Sequence, residues 1–285
     1  MRSRSIVADP LRRYLAAQRD LSGDEVIFDA AVELPPVRVA SASRRVPVEA
    51  RPVIAPEPVA EPRIRQAAAK PLDEHATGWR KGAPAIPGPG LRITVPIVPG
   101  GSETLDGIAA TIAECTGCPL CGGRTKTVPG EGDPAARLML VGEGPGETED
   151  LTGRPFVGRA GELLDKILAL LETPRPTVFI ANVVKCRPPR NRAPLPDERA
   201  ACLPYLHRQI ALVRPKVLLA LGATAAEAML GVKKPLGELR LRVHEWNGIP
   251  LIVTYHPAAL LRNPNWKRPA WDDVRIARQL LDIDA

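Results

Sequence analysis

The sequence predicts a three-layer α/β/α domain around a central, mainly parallel four-stranded sheet, preceded by a long Pro-rich, largely disordered N-terminal segment. Three observations carry this expectation. The chain has 32 prolines and 23 glycines in 285 residues with only 4% aromatics, and the stretch PPVRVASASRRVPVEARPVIAPEPVAEPRIR shows little helical or strand period. From Thr104 onward, short apolar runs alternate with longer amphipathic ones, as expected when helices cover a mainly parallel sheet. With 45% hydrophobic residues the chain can bury one large core or two modest ones.

In chain order, residues 1–103 are expected to form a flexible extension. Within it Asp9 and Pro10 suit the cap of a short expected helix carrying Leu11, Tyr14 and Leu15, a docking element whose partner the sequence does not identify. Residues 104–285 form the α/β domain. Strands are expected at about 137–142 (RLMLVG), 177–183 (TVFIANV), 216–221 (KVLLAL) and 250–255 (PLIVTY), each short, apolar and bounded by Pro, Gly or charge. Helices are expected at about 104–114, 159–171, 196–213, 223–230 and 270–282, the fourth ending before Gly231. A ligand in such a sheet sits outside the carboxyl ends of the strands, so the residues after each strand carry the functional reading.

Charge and cysteine usage narrow the class. Thirty-nine Lys and Arg against 32 Asp and Glu give +7, which favours a polyanionic partner such as nucleic acid. No run of about 18 apolar residues argues for a spanning helix, and MRSRSIVADPLRR lacks a secretory apolar stretch. Asp9, Asp20, Asp24 and Glu25 are too acidic for a transit peptide, so the expectation is a cytoplasmic monomer without membrane contact. Five cysteines in such a chain point to metal or redox chemistry rather than disulfides.

Three turns stand out. Gly142-Glu143-Gly144-Pro145-Gly146 superficially resembles a dinucleotide loop, but Glu143, Glu147, Glu149 and Asp150 would repel a pyrophosphate and Pro145 removes a backbone donor. Backbone approach and carboxylates suit a neutral ring and a water instead. Asn182 opens a basic loop with Lys185, Arg187, Arg190 and Arg192; an amide reads adjacent C=O and N–H groups on a base edge, and the cations suit phosphates. His256 leaves the fourth strand into HPAALLRNP, where Leu260 and Leu261 suit an apolar wedge. Cys115 and Cys118 precede the first strand, while Cys186 and Cys202 follow the second; four thiolates suit zinc or an iron–sulfur cluster, and spacing alone does not choose.

Together, Cys115-x-x-Cys118, GEGPGETEDLTGRPFVGRAG, NVVKCRPPRNR, Cys202 and HPAALLRNP resemble the family 4 uracil-DNA glycosylases, the iron–sulfur branch of their superfamily, over residues from about 104 to the C-terminus. The family usually has Ala at position 144, a small-for-small difference. The resemblance implies hydrolysis of the N-glycosidic bond of deoxyuridine in uracil-containing DNA, as in base excision repair. It implies a structural [4Fe–4S] cluster on Cys115, Cys118, Cys186 and Cys202, with Cys121 surplus. The same resemblance places His256 as a catalytic donor to uracil O2, with Asn182 beside it in the catalytic set. Because the better-known branch of the superfamily has an Asp where this chain has Gly144, Glu143 is the first candidate for the water-activating group and Glu149 the second. Gly144, Glu149, Phe156 and Asn182 bind uracil, the Gly146–Glu149 stretch excludes thymine, and Lys185, Arg187, Arg190, Arg192, Leu260 and Arg262 contact DNA. A non-catalytic iron–sulfur DNA-binding protein and a zinc-stabilised nucleotide hydrolase are the alternatives; the acidic glycine loop disfavours the second.

Overall fold

Continuous Val, Ile and Leu runs can be strands only where helices cover both faces, and that is how the sheet is built. The computed structural model describes residues 25–27, 78–97 and 103–283. Its strands are β1 (Glu25–Ile27), β2 (Pro89–Thr94), β3 (Glu131–Gly132), β4 (Leu138–Gly142), β5 (Val178–Asn182), β6 (Val217–Leu221), β7 (Val243–Trp246) and β8 (Ile249–Thr254). The helices are α1 (Leu105–Ala113), α2 (Glu147–Thr152), α3 (Arg159–Leu170), α4 (Pro196–Val213), α5 (Ala223–Leu230), α6 (Leu236–Leu239), α7 (Pro257–Arg262) and α8 (Lys267–Asp282).

The sheet order is β1-β2-β7-β8-β6-β4-β5-β3. The four expected strands are its parallel centre, β5-β4-β6-β8. The sheet is nonetheless larger than the four strands expected: seven come from residues 78–283, with β1 as an eighth. The additions have a common cause. β3 is two residues long and β7 four, and β2 reads PGLRIT, so none carries a strand period of its own. Tertiary pairing makes them strands: Ile93 lies opposite Trp246 across β2 and β7, and Glu131 opposite Ile180 across β3 and β5.

Alternation along the central strands divides the core. Met139, Val141, Ala181 and Leu218 face α4 and α5 through Leu206, Ile210, Ala226 and Met229. Leu140, Ile180, Leu219 and Ile252 face α3 and α8 through Leu164, Leu168, Val274 and Ala277. This is the three-layer architecture expected.

The domain begins earlier than the 103/104 boundary. Trp79 and Ile93 are buried in the core, and Gln279 donates to the Pro84 carbonyl at 3.0 Å. Residues 78–97 of the expected extension are therefore built into the same unit as the helices and strands that follow. The rest of that extension, including the expected helix at Asp9–Leu15, lies outside the described residues. Among the described residues no helix is long and apolar enough to cross a membrane.

Candidate active site and thiol pocket

The register of the two central strands begins the site. Gly142 ends β4 directly opposite Asn182, which ends β5. A Cβ at position 142 would collide with Asn182 Oδ1 and lie 2.6 Å from Phe156 Cζ, so glycine is required for amide and ring to meet over the strand end. Asn182 is buried, and its Oδ1 has no hydrogen-bond partner among the described residues. A buried acceptor left unpaired costs about 1–3 kcal/mol, which a donor from a bound molecule would offset.

Phe156 is held there against its own backbone preference, at φ 50°. Arg175 donates to the Phe156 carbonyl at 3.0 Å and the Pro155 carbonyl at 2.5 Å, and is itself paired with Glu131 and Asp165. Glu149 fixes the other side of the turn by accepting from the backbone N–H groups of Gly146 (3.1 Å), Val157 (2.9 Å) and Gly158 (2.8 Å). That carboxylate is occupied as a loop tie, which argues against its use as the water-activating group. Glu143 is the freer carboxylate. It is half-buried and accepts from the Thr224 hydroxyl at the start of α5. Gly144 is less tolerant than a small-for-small change suggests, since an added methyl would sit 2.7 Å from Val184 Cγ2.

His256 is the N-cap of α7, and its Nδ1 accepts from the Ala258 N–H at 3.1 Å. The cap assigns the ring proton to Nε2. Burial, helped by nearby Arg262 and opposed by Glu149, lowers its pKa to about 4, so the ring is a neutral Nε2–H donor near pH 7. It lies beside Phe156, ring centroids 5.4 Å apart. Gly222, at φ 95°, lets the β6 turn pass against it: a Cβ there would lie 3.0 Å from the His256 Cβ.

The expected DNA contacts divide. Lys185 is 1% exposed, donating Nζ to the Asn182 carbonyl at 2.9 Å and to Gln209 Oε1 at 2.7 Å. It faces inward, away from any phosphate, because the Asn182 carbonyl at the strand end needs a donor. Arg192 forks onto buried Glu198 at 2.7 and 2.8 Å, which engages its guanidinium with an internal carboxylate although the side chain stays 38% exposed. Arg187 donates to Asn191 at 2.8 Å, while Arg190 and Arg262 are exposed. Leu260 is 2% exposed and belongs to the core, so it is no wedge; Leu261, at 39%, is the apolar residue presented to solvent.

Cys115, Cys118, Cys121, Cys186 and Cys202 all line one pocket with Tyr205, Arg124 and Lys185. Backbone N–H groups of Gly117 and Lys185 point at Cys115 Sγ (3.4 Å) and Cys202 Sγ (3.3 Å), and Arg124 donates to Cys186 Sγ at 3.3 Å. Burial pushes the Cys202 thiol up to about 12, so it ionises at neutral pH only when a metal replaces its proton. Among the described residues no three ligating side chains converge as a single ion requires. The five thiols border one shared space, a sulfur-only donor set of the kind that holds zinc or an iron–sulfur cluster.

The model for the family described as the uracil DNA glycosylase superfamily matches residues 129–275, a span containing every one of these turns. The chain belongs to this superfamily. Type-4 uracil-DNA glycosylase of Thermotoga maritima is 44% identical over 183 residues, 63% of this chain and 95% of that protein. The Sulfurisphaera tokodaii protein of the same name is 43% identical, covering 62% of this chain and 85% of its own. That of Saccharolobus solfataricus is 42% identical, covering 63% and 87%.

For this member of the superfamily, two site residues escaped sequence reasoning. Thr224 follows β6 at the rim that the other three turns occupy, and the same rule about strand ends would have found it. Arg175 precedes β5, far from Phe156 in sequence, and no local signal marks it.

Proposed function

We propose that the slot between Gly142, Phe156, Asn182 and His256 binds a uracil extruded from DNA, and that the protein hydrolyses its N-glycosidic bond, leaving an abasic site. The orphaned Oδ1 of Asn182 is the observation that carries this. It accepts from uracil N3–H while the same amide donates to O4; cytosine offers the reverse pattern and would leave two buried groups unpaired. Phe156 stacks on the ring, and the turn tied by Glu149 supplies the wall against a 5-methyl group.

As the bond breaks, negative charge gathers on O2 and His256 Nε2–H stabilises it, without a proton leaving the imidazole. Glu143, oriented by Thr224, holds the attacking water or faces the cationic sugar. Arg190 and Arg262 hold the strand, and Leu261 fills the vacated stack. Cys115, Cys118, Cys186 and Cys202 fit a [4Fe–4S] cluster, whose contribution when bound is to brace α1 and α4 against the loop after β5. The non-catalytic alternative leaves the Asn182 acceptor and the His256 donor without a use.

Release of free uracil from a uracil-containing single strand, with a thymine strand as control, tests the reading. No release, or equal release of thymine, overturns it. A Glu143→Gln variant with full activity would remove that carboxylate from the water-activating role.

A further inference from the structure

The segment leaving His256 carries a feature that uracil recognition does not use. Trp266 is 39% exposed, so part of its indole surface is open to a ligand. Its inner face stacks on Tyr255, the neighbour of His256, with centroids 4.8 Å apart and planes 13° from parallel. The stack stands on a rigid base. Arg240 lies over the same Tyr255 ring, 4.4 Å from its centroid, and forks onto buried Asp273 at 2.6 and 3.0 Å. Asp273 also accepts from Thr254 at 2.8 Å, which pins the end of β8. On the other side, Asn263 fixes the turn into Trp266 by accepting from the Asn265 N–H at 3.2 Å.

The charges of the segment that carries the indole are one-sided. Residues 255–271 read YHPAALLRNPNWKRPAW, without a carboxylate. Arg262, Lys267 and Arg268 are exposed there. The acids that follow are already engaged, Asp272 with Arg275 and Asp273 with Arg240. A partly exposed indole stacked on Tyr255, in a segment whose exposed charges are all cations and which begins at His256, suits a nucleobase with its phosphate. Paired bases keep their faces inside the duplex, so the base must be unpaired.

We propose that Trp266 is a stacking platform for an unpaired base flanking the extruded uridine, with Arg262, Lys267 and Arg268 on the adjoining phosphates, so that the protein grips single-stranded flanks. This rests on the function proposed above. The test compares a uracil-containing single strand with the same strand carrying an abasic spacer on the 5′ or the 3′ side of the uridine, in the full-length protein and in Trp266→Ala and Trp266→Phe. Expected in the wild type is a roughly tenfold rise in KM from a spacer on one side, with kcat unchanged. In Trp266→Ala the KM is already raised and that spacer adds nothing; Trp266→Phe keeps most of the effect. Equal spacer effects in wild type and Trp266→Ala overturn the platform while leaving uracil release intact. If the wild type releases no uracil, the functional reading fails separately, and the platform is decided by tryptophan emission on adding oligothymidine. Quenching lost in Trp266→Phe supports it; quenching absent from the wild type, or unchanged in the variant, overturns it.

Discussion

The loops that leave β5 and β8 look alike in sequence, each a run of cations among prolines at the carboxyl edge of one sheet, and they differ in what those cations face. After β5, Lys185 is turned inward onto the Asn182 carbonyl and Arg192 is locked on Glu198. After β8, Arg262, Lys267 and Arg268 are exposed with no carboxylate within the segment. The first loop therefore commits Lys185 and Arg192 to internal acceptors and leaves Arg190 exposed, whereas the second leaves all three of its cations exposed. A count of lysines and arginines does not separate these uses, because a buried cation satisfies internal acceptors while an exposed one releases counterions from DNA.

The largest effect that sharpens this contrast lies at the start of the second loop. His256→Ala is expected to lower turnover by about 10²–10³-fold, the typical loss of one oxyanion donor, while DNA affinity holds. Binding that collapses in parallel would make His256 only the cap of α7. With its pKa lowered to about 4, the imidazole stays neutral from about pH 5 upward, so the wild-type rate profile should show no inflection from His256 near 6.5.

Next comes Asn182→Ala, expected to cost about 1–3 kcal/mol of transition-state binding in kcat/KM through loss of the paired base edge. Lys185→Met should reproduce part of that loss, because the Asn182 carbonyl loses its buried donor, without altering the salt dependence of DNA binding. A salt slope reduced by about one in Lys185→Met would mean that this lysine reaches a phosphate, and the contrast between the loops would break.

Smaller effects should divide the arginines. Arg262→Gln is expected to reduce the salt slope of DNA binding by about one and leave the melting temperature unchanged. Arg192→Gln should do the reverse: the slope holds, and the melting temperature falls because Glu198 loses its partner.

A separate prediction concerns acid stability. His207 and His256 both have folded pKa values lowered by burial to about 4, below the ordinary 6.5. Between these values the unfolded chain binds more protons than the folded one, so stability falls as pH drops from about 6.5 to about 4. Melting temperatures across that window, with His207→Gln flattening part of the slope, would check it.

Much of the fold was legible from local pattern. The four central strands and the helices 159–170, 196–213 and 223–230 follow from apolar runs bounded by Pro, Gly or charge. Strand β2 was not, because PGLRIT has the composition of a linker and becomes a strand only against β7. The site was legible where a residue follows a strand, as with Glu143, Asn182 and His256. It was illegible where a side chain's direction decides its use. Glu149 and Glu143 are both glutamates of one turn, yet three backbone N–H groups capture one and leave the other. Leu260 and Leu261 are neighbours on α7, and its 3.6-residue period sends one to the core and the other to water.

By itself, the sequence determined the layered α/β architecture and the sheet rim from which the candidate site residues project, because these depend on composition and spacing along the chain. Only the tertiary structure decided which cations stay free, which carboxylate is spared, where the histidine carries its proton and that an indole beside it lies open. Those outcomes depend on which groups meet across distant segments, and burial with a partner changes the charge, direction and availability of an otherwise identical side chain.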